Sequence, residues 1–410
     1  MSATPNRRRI AEAGESLTLD FATFARNVAS PSAPLAATWR PVIVRLVAGE
    51  FARFAAFCHE RRIALIDTID RQLAVLAAVR LPSSSSTERR RYIEELLATA
   101  GGQEAYGNWV YLPWEAKVAR LLDHEAYFEV ITDRNRDKIT REEQRLLRSK
   151  RIGVVGLSVG GEAAVTLAQE HLCGAIALAD FDRLDLSNLN RMGAGFDDLG
   201  ENKAVLVARR IAKIDPYLTV TIFPEGVTEE NMDAFLNGLD LLIEECDGLA
   251  VKHELRCRAR ERGLNVVFAA DERGFLSVEP YGCWPDLRPF HGRIAHPQLP
   301  RETYLTPAAF MRALTEWMGG WDQISERSRR SLEQVGGSLC GYPQLAGEAR
   351  YAAGQIGHVA RRLLRGERLP PFFGHLDLDE LLASATHPKR VVNEDTASVH
   401  DATRWPENAE

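Results

Sequence analysis

The stretch that decides the fold reads Ile152-Gly153-Val154-Val155-Gly156-Leu157-Ser158-Val159-Gly160-Gly161. Its first half is a short apolar run bounded by glycines, which predicts a buried strand, and a helical pattern follows from Gly161 to about His171. Glycines in a strand-to-helix turn let the backbone approach a phosphate, whose charge the helix N–H groups stabilise. We therefore predict a nucleotide site at Gly156, Ser158, Gly160 and Gly161, although a tight turn without a ligand would use the same glycines.

Further apolar runs alternate with helical patterns on the C-terminal side of this turn. Predicted strands cover residues 175–180, 219–223, 239–243 and 265–270, and predicted helices cover residues 201–213, 229–237 and 249–262. Strands that are separated by helices form mainly parallel sheets with helices on both faces. The sequence therefore predicts an α/β fold with a Rossmann-like, doubly wound, mainly parallel sheet.

Two regions flank the predicted sheet. Apolar residues at three- and four-residue spacings over 42–79 predict amphipathic helix, a second helix is predicted near 88–99, and residues 106–114 predict an extended piece. After Tyr281 several prolines indicate a crossing, and helices are predicted at 306–318 and 344–365. We expect a helical N-terminal extension (1–127), a nucleotide-binding domain (128–283), a C-terminal crossover and helical region (284–386) and a polar tail (387–410).

The composition excludes several classes of protein. The chain has 410 residues, of which 45% are hydrophobic and 26% charged, so we expect two or three compact units with sizeable cores. A net charge of −6 gives no general attraction to nucleic acid or to anionic lipid. No stretch approaches the roughly 20 apolar residues of a membrane span, and the first residues lack the apolar segment of a signal peptide. We therefore expect a cytoplasmic protein with neither a membrane nor a nucleic acid as partner.

The cysteines are widely separated in the sequence. No C-x-x-C pair occurs among the six, so we expect free thiols and no structural zinc.

Charged residues after the Gly-rich turn decide which nucleotide suits the site. Asp180 ends the next predicted strand, where a carboxylate accepts hydrogen bonds from a ribose, and this serves NAD and ATP equally. Asn188, Arg191 and Lys203 follow on one strand-to-helix excursion and suit a triphosphate whose charge shifts during nucleotidyl transfer. Asp247 follows a later parallel strand, so it faces the same crevice and could hold Mg²⁺ together with phosphate oxygens.

At these residues the chain resembles the ThiF/MoeB/HesA superfamily, the bacterial relatives of ubiquitin-activating enzymes. The resemblance spans about residues 130–282 and rests on the Gly-rich turn, the motif from Asp180 and Asp182 to Arg191, the downstream Lys203, and the strand end at residues 244–247. It implies an adenylyltransferase that uses ATP and Mg²⁺ to activate a carboxylate as an acyl-adenylate.

The same resemblance implies the roles of individual residues. Asp180 contacts the ribose, and Asp182 shares its motif in the nucleotide site. Asn188, Arg191 and Lys203 contact the phosphates and the transition state, and Asp247 binds the Mg²⁺.

The segment Asp133-Arg134-Asn135-Arg136 resembles a family segment whose arginine reaches into the partner subunit's ATP site. This implies a homodimer in which Arg136 acts in trans. The alternative is that Asn135 and Arg136 cap the helix that contains Glu142 and Glu143.

Many relatives transfer the activated carboxyl to a cysteine, and Cys283, after the last predicted sheet segment, is the first candidate here. Cys340 is the second candidate. A buried structural role is the alternative for both.

Three positions depart from the family pattern: Ser158 replaces a glycine, Met192 stands where a glutamine is usual, and Glu244 replaces an aspartate. The regions outside the family domain resemble those of a subgroup with an N-terminal helical extension.

The resemblance leaves the substrate open among a protein or peptide C-terminus, such as that of a ubiquitin-like protein, a tRNA-linked carboxylate and a small molecule. Two other functions remain: an NAD-dependent oxidoreductase, which leaves Arg191, Lys203 and Asp247 unexplained, and a nucleotide-binding scaffold without catalysis.

Overall fold

The structure, a computed structural model, describes residues 17–29, 39–294 and 315–384, which form two β-sheets with flanking helices. The first sheet comes from the N-terminal region. Its elements are β1 (Leu17–Asp20), α1 (Phe21–Ala29), β2 (Val42–Arg45), α2 (Phe51–Glu60), β3 (Ala64–Asp67), α3 (Ile69–Arg80), α4 (Ser86–Thr99), β4 (Asn108–Leu112), β5 (Lys117–Leu121) and α5 (His124–Ile131). The strand order is β1-β2-β4-β5-β3, with antiparallel pairs in the centre and parallel pairs at both edges.

This sheet corrects the expectation of a mainly helical N-terminal extension. The helix near 88–99 is confirmed as α4, which Ser85 and Glu88 cap reciprocally, and the extended piece is confirmed as β4. The continuous helical pattern over 42–79 is wrong, because β2 and β3 interrupt it. Each of these strands has four residues, too few alternations to outweigh the helical spacing around them.

Aromatic side chains join helices and strands in one core here. The Phe54 and Trp109 ring centroids lie 5.2 Å apart, and those of Phe24 and Tyr111 lie 5.3 Å apart.

The second sheet confirms the predicted doubly wound, mainly parallel α/β fold. Its elements are α6 (Arg141–Arg148), β6 (Arg151–Val155), α7 (Val159–Gln169), β7 (Ala175–Ala179), α8 (Lys203–Ile214), β8 (Thr219–Phe223), α9 (Met232–Leu236), β9 (Leu241–Glu244), α10 (Leu249–Glu261), β10 (Asn265–Ala269), β11 (Phe275–Glu279), α11 (Glu326–Leu332), α12 (Ala346–Leu364), β12 (Phe372–His375) and α13 (Leu378–Ser384). The order is β12-β11-β10-β9-β6-β7-β8, in which β6 to β10 are parallel and β11 and β12 are antiparallel.

The strand order places a topological switch point beside β6. From β6 the chain continues outward through β7 and β8, and it then returns to the other side of β6 as β9. In open α/β sheets, ligands bind outside the carboxyl ends of the strands at such a point. The turns that follow β6 and β9 therefore line the expected crevice.

The C-terminal region completes the second sheet. The helix predicted over 344–365 is confirmed as α12, which packs along α7, where Arg361 forms an ion pair of 2.8 Å with Glu170. Most of the helix predicted over 306–318 and all of the polar tail lie outside the described residues, and the four segment boundaries stay predictions. No helix in the described part of the chain is both long and apolar enough to span a bilayer.

Candidate functional site

The Gly-rich turn lies directly against the end of the neighbouring strand β9. Gly156 has a φ of +81°, and a Cβ added there would lie 2.3 Å from the carbonyl oxygen of Glu245. A Cβ at Gly160 would lie 3.2 Å from the Cβ of Glu245, and one at Gly161 would lie 3.1 Å from a methyl group of Val207. Glycine is therefore required at position 156 by both backbone conformation and space.

Asp180 is bonded to this turn at the end of β7. Its Oδ2 accepts a 2.6 Å hydrogen bond from the backbone N–H of Leu157, and its Oδ1 accepts one of 2.8 Å from that of Asp182. Burial raises the pKa of Asp180, while these two N–H groups and the Lys203 ammonium lower it less. Each carboxylate oxygen keeps a second lone pair, so the fixed side chain can accept a hydrogen bond from a ribose hydroxyl.

The segment from Asp185 to Arg191 folds over the turn. Asn188 is buried, and its Oδ1 accepts a 3.1 Å bond from the backbone N–H of Asp185, so this residue shapes the segment itself. Arg191 donates from Nε to Ser158 Oγ at 3.0 Å and from Nη1 to Asn190 Oδ1 at 2.9 Å. The serine that departs from the family pattern thus holds the Arg191 guanidinium beside the Gly-rich turn.

A second cation lies at the start of α8. Lys203 is buried, with its Nζ 2.8 Å from Asp182 Oδ2. The preceding Asn202 caps α8 by accepting from the N–H groups of Ala204 and Val205, and its Nδ2 donates to the Asp180 carbonyl at 3.0 Å. Sequence reasoning missed Asn202, although an asparagine before a helical pattern is a recognisable cap signal. Asn202 therefore connects the start of α8, where Lys203 lies, to the backbone of Asp180.

Asp247 lies in the loop after β9 and faces the same crevice. Asp247 is exposed to solvent. Desolvation by the surrounding protein raises the pKa of its carboxylate, and the Lys252 and Lys203 ammonium groups lower it. The carboxylate of Asp182 also raises this pKa, so Asp182, Lys203 and Asp247 lie within electrostatic reach of one another.

The oxygen donors of this crevice suit a magnesium ion that is held partly by phosphate. No cluster of three or more His, Cys, Asp or Glu side chains suited to a metal occurs in residues 17–29, 39–294 and 315–384. Magnesium is commonly bound through one or two carboxylates together with substrate phosphates and water. The carboxylates of Asp247 and Asp182 fit that pattern.

Glu244, the third departure, belongs to a buried ion network. Its carboxylate accepts from the backbone N–H of Cys246 at 3.0 Å, from Lys252 Nζ at 3.1 Å and from Arg256. Arg256 also donates to Glu279 at 2.6 Å, and all four charged side chains are at most 2% exposed. Burial alone would raise the pKa of Glu244, but the two cations outweigh it and lower the pKa.

This network connects α10 and β11 to the strand end that precedes Asp247. Sequence reasoning missed this network. The available signal was that Lys252 and Arg256 lie four residues apart on α10, the helix that follows two adjacent glutamates.

Another wall of the crevice comes from residues that sequence reasoning did not select. Asp271 follows β10 as Asp247 follows β9, and its Oδ2 is buried with no hydrogen-bond partner among the described residues. The Gln344 side chain lies close enough to the Asp271 carboxylate to lower its pKa, and the Gln344 carbonyl accepts a 2.7 Å bond from Asn190. The segment before α12 therefore lies beside Arg191, whose positive charge lowers the pKa of Asp271 against the larger effect of burial.

Cys283 does not lie at this crevice. Strand β11 runs antiparallel to β10, so its last residue, Glu279, pairs with Val266 at the amino end of β10. The following turn stays at that edge, where Gly282 N–H bonds to Asn265 at 3.0 Å. The expectation that Cys283 borders the nucleotide site is therefore corrected, because the last strand reverses direction.

Arg136 also lies away from its own chain's turn. Asn135 donates to the Glu170 carbonyl just beyond α7, and Arg136 pairs with Asp133. The 11 residues of α7 separate this place from the Gly-rich turn by about 16 Å. The alternative that Asn135 and Arg136 cap α6 is wrong, because Thr140 caps that helix.

The middle of the chain matches a known protein family. Residues 132–278 match the ThiF family. An uncharacterized protein of Mycobacterium tuberculosis is 40% identical over 280 residues, which cover 68% of this chain and 39% of that protein. The adenylyltransferase and sulfurtransferase UBA4 of Yarrowia lipolytica is 31% identical over 144 residues, which cover 35% of this chain and 36% of UBA4. The chain thus spans less than half of the length of either relative.

Among solved structures, the tRNA N6-threonylcarbamoyladenosine dehydratase of E. coli in complex with ATP is similar over part of the chain. The match has 31% sequence identity and a TM-score of 0.31, and it covers 32% of this chain and 56% of that one.

The matched residues contain the crevice residues from the Gly-rich turn to Asp271, whereas Gln344 lies outside the match. The resemblance inferred from the motifs is confirmed. Residues 132–278 of this chain thus form a domain of the ThiF family.

Proposed function

We propose that the protein is an adenylyltransferase that uses ATP and Mg²⁺ to activate a carboxylate. A carboxylate oxygen of the substrate attacks the α-phosphorus, the bond from that phosphorus to the bridging oxygen of the β-phosphate breaks, and pyrophosphate leaves. The product is an acyl-adenylate. The observation that carries this proposal is the position of Arg191, which Ser158 holds beside the Gly-rich turn and opposite the strand end with Asp247.

The side chains of the crevice divide the task. Asp180 accepts from the ribose and so fixes the nucleotide. Arg191 and Lys203 offset the negative charge that develops as pyrophosphate departs, because fixed cations in a partly buried site act without reorganisation. Bound Mg²⁺ would neutralise phosphate oxygens, and Asp247, supported by Asp182, would hold it.

The inventory of cations argues against a dinucleotide cofactor for hydride transfer. A ribose carboxylate and a Gly-rich turn suffice for NAD, whereas Arg191, Lys203 and Asp247 would then have no task. A nucleotide-binding scaffold would hold the phosphates with the same cations, and turnover distinguishes it from an adenylyltransferase.

The substrate that we propose is the C-terminal carboxylate of a protein or peptide, such as a ubiquitin-like protein. A tRNA-linked carboxylate or a small molecule would meet the same reactive groups, so the substrate assay includes all three. We also propose a homodimer in which Arg136 acts in the crevice of the partner subunit, since Arg136 lies far from its own. A cytoplasmic location stays a prediction.

The test is nucleotide specificity followed by turnover. Calorimetry should show binding of Mg·ATP and little binding of NAD⁺ or NADPH. ATP–pyrophosphate exchange should then depend on one class of added carboxylate. Failure of the folded protein to bind Mg·ATP would overturn the proposal, and tight NADPH binding would favour the oxidoreductase.

A further inference from the structure

A polar pocket of about 300 Å³ lies between the two sheets, away from the nucleotide crevice. Thr219 begins β8, so the pocket lies at the amino edge of the parallel strands, whereas the crevice lies at their carboxyl edge. Its polar lining consists of Thr18, Arg45, Asn108, His124, Tyr217 and Thr219. Both sheets therefore contribute side chains to one cavity.

A chain of hydrogen bonds orients Arg45 in this pocket. Arg45 donates from Nε to Asn108 Oδ1 at 3.2 Å, Asn108 donates from Nδ2 to Tyr217 Oη at 3.0 Å, and Tyr217 donates to the Leu122 carbonyl at 2.7 Å. Asn108 is only 3% exposed. The two terminal amino groups of Arg45 have no hydrogen-bond or ion-pair partner within the described part of the chain.

The acids around the pocket are already engaged. Asp123 caps α5 through Ala126 N–H at 3.0 Å, and Asp215 accepts from Tyr217 N–H at 2.8 Å. Asp20 lies opposite Arg45 in the backbone register of β1 and β2, and its carboxylate accepts a hydrogen bond from the Thr23 N–H at 2.7 Å. These carboxylates keep their negative charge, but each has a backbone N–H partner, whereas the terminal amino groups of Arg45 have none within the described part of the chain.

The opposite wall is aromatic and neutral. The His124 ring stacks on Tyr217 with centroids 4.6 Å apart and an interplanar angle of 18°. Burial and the Arg148 guanidinium lower the pKa of His124, which favours the neutral form of its ring. The aromatic stack and the exposed guanidinium of Arg45 thus line the same cavity.

We propose that this pocket binds a small monocarboxylate, with its carboxylate on Arg45 and the hydroxyls of Thr18 and Thr219 and its carbon skeleton against the His124–Tyr217 stack. A guanidinium fork matches a carboxylate in a bidentate arrangement. A dianion such as a phosphate monoester would place two negative charges against one cation with Asp123 and Asp215 nearby. The ligand would bridge the N-terminal sheet and the nucleotide domain, a role separate from the substrate of the adenylation site.

The experiment uses benzoate as the probe and the full chain as it is. Benzoate should raise the melting temperature of the wild-type protein in a saturable manner, since a ligand that binds only the folded state stabilises it by mass action. Arg45→Gln should weaken this binding about 10- to 100-fold, as expected for a lost charge-assisted bond, and Thr219→Val should weaken it less. Arg90→Gln, at an exposed position of α4, and Arg191→Ala, in the nucleotide crevice, should bind benzoate as the wild type does.

Two kinds of result would overturn the proposal. One is the absence of saturable stabilisation of the wild-type protein by benzoate, or equal stabilisation of Arg45→Gln. The other is stabilisation by inorganic phosphate that depends on Arg45 and exceeds that of benzoate, because the assigned ligand class would then be wrong. If Arg45→Gln does not fold, unchanged benzoate binding by Thr219→Val contradicts the proposed contacts.

Discussion

Replacing Glu244 by glutamine tests whether the buried ion network supports the strand end before Asp247. The substitution keeps the shape of the side chain but removes the negative charge that balances Lys252 and Arg256, which are 2% and 0% exposed. Removing one partner of a buried pair typically costs about 3–5 kcal/mol, because the remaining charge stays buried without compensation. At about 2–4 °C per kcal/mol for a domain of 150–250 residues, we expect the melting temperature to fall by about 6–20 °C.

The assay is thermal unfolding monitored by circular dichroism, with Glu94→Gln as the matched control. Glu94 is exposed on α4 and should change the melting temperature little. Mg·ATP affinity is measured on the same proteins at a temperature where both are folded. We expect weaker binding by Glu244→Gln, since the uncompensated charges of Lys252 and Arg256 would disturb the strand end next to Asp247. A melting temperature equal to that of the control would refute the claim that this ion network stabilises the folded protein.

Three further predictions concern other parts of the structure. Gly156→Ala should abolish the stabilisation of the protein by Mg·ATP, because the new Cβ would lie 2.3 Å from the Glu245 oxygen at a φ of +81°; a wild-type thermal shift would contradict this. Asp180→Ala should weaken ATP binding in calorimetry more than it lowers turnover at saturating ATP, because a ribose contact is made in ground and transition states alike. The free energy of unfolding should fall as the pH drops below about 6.5, because burial and Arg148 lower the pKa of His124 and only the unfolded chain then takes up that proton. His124→Phe should reduce the dependence of the unfolding free energy on pH in this range, as measured by urea unfolding at several pH values. An unchanged pH dependence would assign the effect to other groups.

The central sheet could be predicted from sequence because its strands are buried on both faces. Runs such as residues 219–223 are nearly continuous in apolar and β-branched residues, and the helices between them have a clear period. The N-terminal sheet could not be predicted in the same way. Its strands β2 and β3 are short and lie between helices whose apolar residues share the same core, so local spacing favoured helix over the whole segment.

The positions of candidate site residues could be predicted where an acidic residue directly follows a parallel strand. Asp180 and Asp247 belong to that class, since the carboxyl ends of parallel strands meet at one edge. The position of Cys283 depends on the antiparallel direction of β11, which the sequence does not display locally. The pairing of Arg256 with Glu279 and the closeness of Asp271 to Arg191 depend on packing across more than 20 residues of chain, which periodicity does not report.

The most direct test of the adenylyltransferase proposal is ATP–pyrophosphate exchange by Arg191→Ala, with melting temperature measured on the same sample and Arg90→Ala as control. Removing one preorganised electrostatic contact typically lowers the rate about 10²- to 10³-fold. We predict a loss of that size with a melting temperature within the range of the control. Exchange that is unchanged, or that falls only in proportion to a lower melting temperature, would contradict the account, because Arg191 would then be part of the scaffold.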